Sequence, residues 1–400
     1  MNSATNDGFI TTEAPKPSQS ISGLLLLAAT IAAMIWANSS AGDSYHAVWE
    51  LPIAGMSLHH VINDALMALF FLMVGLEIKY ELQDGALTSI RQAALPIVGA
   101  IGGMLVPATI YTAIALGTPA ASGWGIPMAT DIAFALGIMA LLGDRVPAGL
   151  RIFLAALAIA DDIGAVLVIG LFYTSTVSTA ALAAVIVIMG ALMLCNKRGV
   201  HSPWPYVLLG VVLWVAVYRS GVHASIAGVL LAFTIPARGA SSVEHQIEHA
   251  LQFPVSYGII PLFALANAGV VIPDNLSALA TAPATLATAS GLLIGKPLGI
   301  SGAAWLAVRM RWASLPAGAT WYGLFGVSML GGIGFTMSLF VAALAFGSST
   351  HLDAAKLGVL GGSLCAGVIG ATLLALRGAS RDGHGSDNGK NNRTITPTPP

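Results

Sequence analysis

Three carboxylates and one ammonium stand where a chain this apolar has no ordinary use for them. Asp131, Asp161, Asp162 and Lys296 fall near the middle of long apolar runs, with Thr130 beside Asp131. A charge at that depth is costly and marks a functional site by default. Carboxylate, carbonyl and hydroxyl oxygens are the ligands that a hard cation such as sodium takes. A carboxylate out of water must be neutralised, by a proton, a metal ion or a neighbouring ammonium. Proton and metal ion then compete for the same oxygens. With access alternating between two sides, that competition suffices to exchange one for the other. Adjacent helix positions differ by ~100° in direction, so Asp161 and Asp162 cannot both face one partner squarely. One can bind the ion while the other pairs with Lys296. The rival reading for any single member is a buried ion pair that only holds helices together, for example Asp161 with Lys296.

The elements that position these groups follow from composition. Of 400 residues, 9% are charged and 56% hydrophobic, with a net charge of −1. So few charges cannot coat a soluble protein of this size, and neither a disordered chain nor a nucleic-acid binder fits. The chain reads as an all-α membrane protein of about twelve transmembrane helices. The apolar runs lie near 21–37, 61–80, 94–116, 121–142, 149–173, 177–195, 204–218, 221–236, 250–272, 284–308, 320–347 and 353–377, most of them near the ~20 residues a crossing needs. Run 21–37 is expected to be a retained span, because its leader carries Asp7 and Glu13 against a lone Lys16. Polar segments 1–20 and 378–400 read as flexible cytoplasmic tails around a transporter domain over 21–377. Cys195 and Cys365 lie in apolar runs and are expected to pack in the core.

Charge bias orients the spans. With both termini cytoplasmic, the inner side holds Lys16, Lys79, Arg91, Arg145, Arg151, Lys197, Arg198, Arg238, Arg309, Arg311, Arg377, Arg381, Lys390 and Arg393. The outer side holds Arg219 and Lys356. Two spans look broken. The fourth carries Gly125, Pro127, Thr130 and Asp131 in mid-run, and the eleventh carries Gly331, Gly332 and Gly334. Seven spans apart, these must run in opposite directions. They predict inverted-topology repeats, with halves near 94–173 and 284–377, whose two interrupted helices cross at mid-membrane over a binding site. Close helix packing is the other use for such glycines. Opposed half-helix ends carry dipole charge, which Asp131 and Lys296 can balance, so Asp131 is either a ligand or electrostatic scaffold.

Several stretches together resemble the NhaA-type sodium/proton antiporter family: Ala129-Thr-Asp-Ile-Ala-Phe-Ala-Leu-Gly137, Ala158-Ile-Ala-Asp-Asp-Ile-Gly164, Val74-Gly-Leu-Glu-Ile-Lys79, Ser220-Gly-Val-His-Ala224, Pro261-Leu-Phe-Ala-Leu-Ala-Asn-Ala-Gly269 and Ile294-Gly-Lys-Pro-Leu-Gly299. The resemblance implies electrogenic export of Na+ or Li+ in exchange for more H+ entering, across a bacterial inner membrane. It implies that Asp161 and Asp162 bind Na+ and exchange protons, supported by Asp131, Thr130 and Lys296. It further implies a homodimer joined partly through residues 43–58, which have turn and short-strand character. Activation at alkaline pH is implied too, through ionisable groups at the cytoplasmic mouth: Glu77, Lys79, Glu81, Glu248, His249 and, deeper, His223. Tyr80 and Gln252 depart from the family pattern at positions usually basic or titratable. Asp64 reads as a helix-end or funnel residue rather than a ligand.

Two tempting motifs fail. His245-Gln-Ile-Glu-His249 has zinc-peptidase spacing but no third ligand nearby. Gly291-Leu-Leu-Ile-Gly-Lys-Pro297 is one spacer short of a phosphate loop and has Pro where Ser or Thr belongs. No cofactor and no enzymatic activity are expected, and transport is driven by ion gradients. A sodium-coupled symporter would need a larger polar cavity rich in Ser, Asn and Gln. A channel would need a continuous pore.

Overall fold

The computed structural model describes residues 17–53, 55–83, 85, 88–174, 178–237, 242–273, 275–347 and 349–385. Its helices are α1 (Pro17–Ala37), α2 (Gly42–Trp49), α3 (Leu58–Gln83), α4 (Ile90–Ala115), the 3-10 helix α5 (Pro119–Met128), α6 (Ile132–Leu142), α7 (Ala148–Phe172) and α8 (Thr179–Lys197). There follow α9 (Trp204–Ser220), α10 (Ile226–Thr234), α11 (Val243–Asn267), α12 (Pro283–Arg309), α13 (Trp321–Leu330), α14 (Phe335–Phe346) and α15 (Thr350–Gly385). Each apolar run thus falls mainly on helix. The tail residues 1–16 and 386–400 lie outside the described residues, and α15 continues as helix eight residues past 377.

Seven helices, α3, α4, α7, α8, α11, α12 and α15, are individually long and apolar enough to cross a membrane. Three helix pairs reach that length only when the two bent members are taken together: α1 with α2 at 117°, α5 with α6 at 43°, and α13 with α14 at 47°. Helices α9 and α10 are short, at 17 and 9 residues. The segment after α2 forms a small antiparallel hairpin, β1 (Pro52–Ile53) with β2 (Met56–Ser57).

An inside-out distribution of apolar surface accompanies this architecture. Leu116, Leu141 and Leu171 are each 74% exposed, a cost in water that lipid removes. The same logic corrects one expectation. Cys365 is exposed on α15 rather than packed in the core, since in a membrane helix an apolar run fills the outer face as readily as the inner. Cys195 is partly buried.

Close backbone contacts fix where the site helices lie. α12 packs along α4, and α15 packs on α12 and α13. A Cβ on Gly295 would come 2.6 Å from Pro107 Cα, and one on Gly332 would come 2.5 Å from the Leu292 carbonyl. Only glycine lets the backbones meet there. Gly295 immediately precedes Lys296, so this contact sets the depth of the buried ammonium.

Candidate functional site

The two interruptions meet. Helix α5 ends at Met128, one residue past Pro127, residues 129 and 131 take extended backbone, and the chain re-enters helix at Ile132. On the other strand of the break, α13 stops at Leu330 and α14 starts at Phe335. Backbone groups stranded by each gap are satisfied by the other. Asp131 N–H donates to the Ile333 carbonyl at 2.6 Å. The Thr130 hydroxyl lies 2.8 Å from the Gly331 carbonyl, and Ser338 Oγ donates to the Ile126 carbonyl at 2.7 Å.

Asp131 caps both returning half-helices. Its Oδ1 accepts from Phe134 N–H at 3.1 Å, the first turn of α6. Its Oδ2 accepts from Thr336 N–H at 3.1 Å and from the Thr336 hydroxyl at 2.5 Å, the first turn of α14. One carboxylate therefore faces two positive dipole ends and satisfies an orphan donor at each.

Lys296, fully buried, donates to Asp161 Oδ2 and to Thr130 Oγ1, the latter at 3.0 Å. Thr130 Oγ1 is also 2.7 Å from Asp161 Oδ2. A hydroxyl has one proton, so Thr130 can fully serve either Asp161 or the Gly331 carbonyl while accepting from Lys296. Asp162 points elsewhere, as the ~100° step between neighbours requires. It lines a cavity of about 560 Å³, and its Oδ1 is buried without a hydrogen-bond partner among the described residues. Thr130, Asp131, Thr336 and Glu77 line the same cavity. The five expected site residues thus come together. Sequence reasoning missed Thr336 and the Gly331 and Ile333 carbonyls. A Thr just past the glycine cluster was the available signal.

The mouth residues divide. Glu77 lines the cavity, as do His249, Gln252, Ser256 and Tyr257. Glu81 and Glu248 both act electrostatically on Glu77. Lys79 is buried, donating to the Ala232 and Ile235 carbonyls at the end of α10 and standing 3.7 Å from Glu244. It ties three helices together, a strut more than an exposed sensor. His223 does not line this cavity. It lies 3.8 Å from Asp64, on the residues before α10, near the other end of α3 from Glu77.

Residues 16–374 match the family described as Na+/H+ antiporter 1. A Koribacter versatilis protein named Na+/H+ antiporter NhaA is 46% identical over 410 residues, covering 90% of each chain. Proteins of the same name are 49% identical in Rhizobium etli, covering 90% of this chain and 94% of that one, and 50% identical in Vibrio campbellii, covering 89% and 93%. Among solved structures, the sodium proton antiporter MjNhaP1 of Methanocaldococcus jannaschii at pH 8 aligns with a TM-score of 0.51 and 14% identity. The alignment covers 90% of this chain and 91% of that one, a likeness of fold alone.

Proposed function

The chain belongs to the Na+/H+ antiporter 1 family, and from that premise we propose that it exports Na+, or Li+, in exchange for H+ by alternating access across a bacterial inner membrane. The observation that carries this reading is the unequal treatment of two adjacent acids. Asp161 keeps one oxygen, Oδ2, on Lys296 and Thr130 and stands off the cavity, whereas Asp162 lines it; Oδ1 of both acids is buried without a hydrogen-bond partner among the described residues. A dehydrated Na+ needs several oxygens at once. Asp162 supplies the charged one, with Asp161, Thr130 and a backbone carbonyl at the break close by. When the cation leaves, the acids must be neutralised by protons, because the bilayer interior does not tolerate bare carboxylates.

Asp162 releases one proton and the Asp161–Lys296 pair a second for one cation, so each cycle carries net positive charge inward and exchange is electrogenic. Asp131 acts as scaffold for the two half-helices rather than as first ligand, since both of its oxygens are occupied by capping donors. Alkaline activation enters through Glu77 and His249, which line the cavity, and through Glu81 and Glu248, which act electrostatically on Glu77. Helices α9 and α10 complete twelve crossings, the interrupted helices cross as members of inverted repeats, and both termini are cytoplasmic, a reading supported by the bias of the basic residues to one side. Hairpin β1–β2, with Leu51 and Ile53 exposed, joins two copies into a homodimer. The test is transport in everted membrane vesicles with an imposed pH gradient. Na+ added at alkaline pH should dissipate the gradient. No response between pH 7 and 9 would sink the reading.

A further inference from the structure

A second cluster of titratable groups lies near the opposite end of α3 from the cavity mouth. Asp64 and Glu77 are separated by about 20 Å along the helix at ~1.5 Å per residue. Near Asp64 the helix opens into a wide π turn over Val61–Leu66, a distortion frequent at functional positions. His60 Nε2 is 2.9 Å from Asp64 Oδ2, and His223 Nδ1 is 3.8 Å from Asp64 Oδ1. The His60 side chain is 45% exposed, that of Asp64 10% and that of His223 19%. One exposed ring thus leads to two sheltered groups.

The inner end of this series is specific. The His223 ring packs edge-on against Phe340 at 5.7 Å, and Phe340 also contacts Phe71 at 5.5 Å and Phe263 at 6.2 Å. Phe340 is fully buried and stands four residues after Thr336, the residue that binds Asp131. Phe340, whose ring touches His223, thus stands one helical turn of α14 from Thr336.

Building on the antiporter reading, we propose that His60, Asp64 and His223 form a proton-loading site, through which protons enter from the side opposite the Glu77 mouth. The ligand is a proton rather than a metal ion, because two imidazoles around one carboxylate suit proton relay, whereas sodium takes oxygen ligands. The other groups around the cluster leave this role to the triad. Tyr218 stacks edge-on with His60 at 5.8 Å, and Trp214 Nε1 donates to the Asp64 carbonyl at 3.3 Å. Ser225 Oγ is 3.3 Å from His223 Nδ1. Asn63 and Asn267 bond to each other and to His59, whose electrostatic neighbours are Lys356, Glu50 and His60.

The test sets the pH of the two compartments independently in proteoliposomes of known orientation and follows Na+ flux. Asp64→Asn and His60→Gln should each move the midpoint of the dependence on far-side pH by about one unit, a tenfold change in proton concentration. The dependence on mouth-side pH should stay in place, and Asp64→Glu should restore the wild-type midpoint. His60, being exposed, keeps the test valid if the Asp64 variants fail to fold. Unmoved midpoints in both variants, or equal movement on both sides, would overturn the proposal. Wild-type protein without any Na+-dependent proton flux would instead overturn the antiporter reading beneath it.

Discussion

The Lys296 ammonium and the Asp161 carboxylate meet at a point no solvent reaches, with the Thr130 hydroxyl touching both. Each charge there depends on the other. Lys296→Ala leaves a buried carboxylate without its cation, and breaking such a pair costs about 3–5 kcal/mol. Lys296→Ala should therefore lower the melting temperature sharply. Replacing both members, Lys296→Met with Asp161→Leu, should recover most of the loss while leaving exchange impaired. Thermal unfolding of the purified proteins in detergent checks both outcomes.

Asp131 holds the starts of two half-helices, α6 through Phe134 and α14 through Thr336. Losing a cap costs about 0.5–2 kcal/mol per helix. Asp131→Ala should be destabilised by the sum of two such losses, and Thr336→Val by less than half as much. Na+ affinity in Asp131→Asn should fall by less than tenfold, as scaffold rather than ligand requires. Denaturant titration and calorimetry measure the two quantities separately.

Na+ binding should weaken as pH falls, since protons and cation neutralise the same carboxylates. Each proton displaced changes the apparent affinity by up to about tenfold per pH unit. Displacement of two protons gives a limiting slope of about a hundredfold per unit. Affinity should rise with pH and level off once the acids are ionised. Calorimetric titration from pH 6 to 9 gives the slope, and a flat profile would remove the competition.

Gly332→Val places a Cβ 2.5 Å from the Leu292 carbonyl, backbone that cannot swing aside. Forcing extra atoms into a closed contact costs about 1–3 kcal/mol. The variant should be less stable and, by pushing α13 away from α12, should slow exchange. Gly137→Ala, where a Cβ meets open space, should change little. Melting curves of the two proteins check the contrast.

Much of this arrangement is legible in the sequence because the membrane makes charge rare. Asp131, Asp161, Asp162 and Lys296 stand out against apolar runs, and Pro127 and the glycines after Leu330 mark the breaks. The partner of Lys296 was open in the sequence, because the direction of a helix face depends on tertiary packing rather than on spacing. The carbonyls of Gly331 and Ile333 carry no side-chain signal at all. His223 was expected deeper behind the Glu77 mouth, and its place near Asp64 follows from the turn after α9, where Gly221 takes a φ of 85°. Lys79 reads as a free charge in one dimension and as a clamp on α10 in three.

The most direct measurement is calorimetry of Na+ binding to purified wild type and Asp162→Asn, each in two buffers of different ionisation enthalpy. Wild type should bind Na+ with release of protons to the buffer, and Asp162→Asn should show neither binding nor release. Na+ binding with no proton release in wild type, or undiminished binding in Asp162→Asn, would contradict the assignment of cation and proton to one carboxylate site.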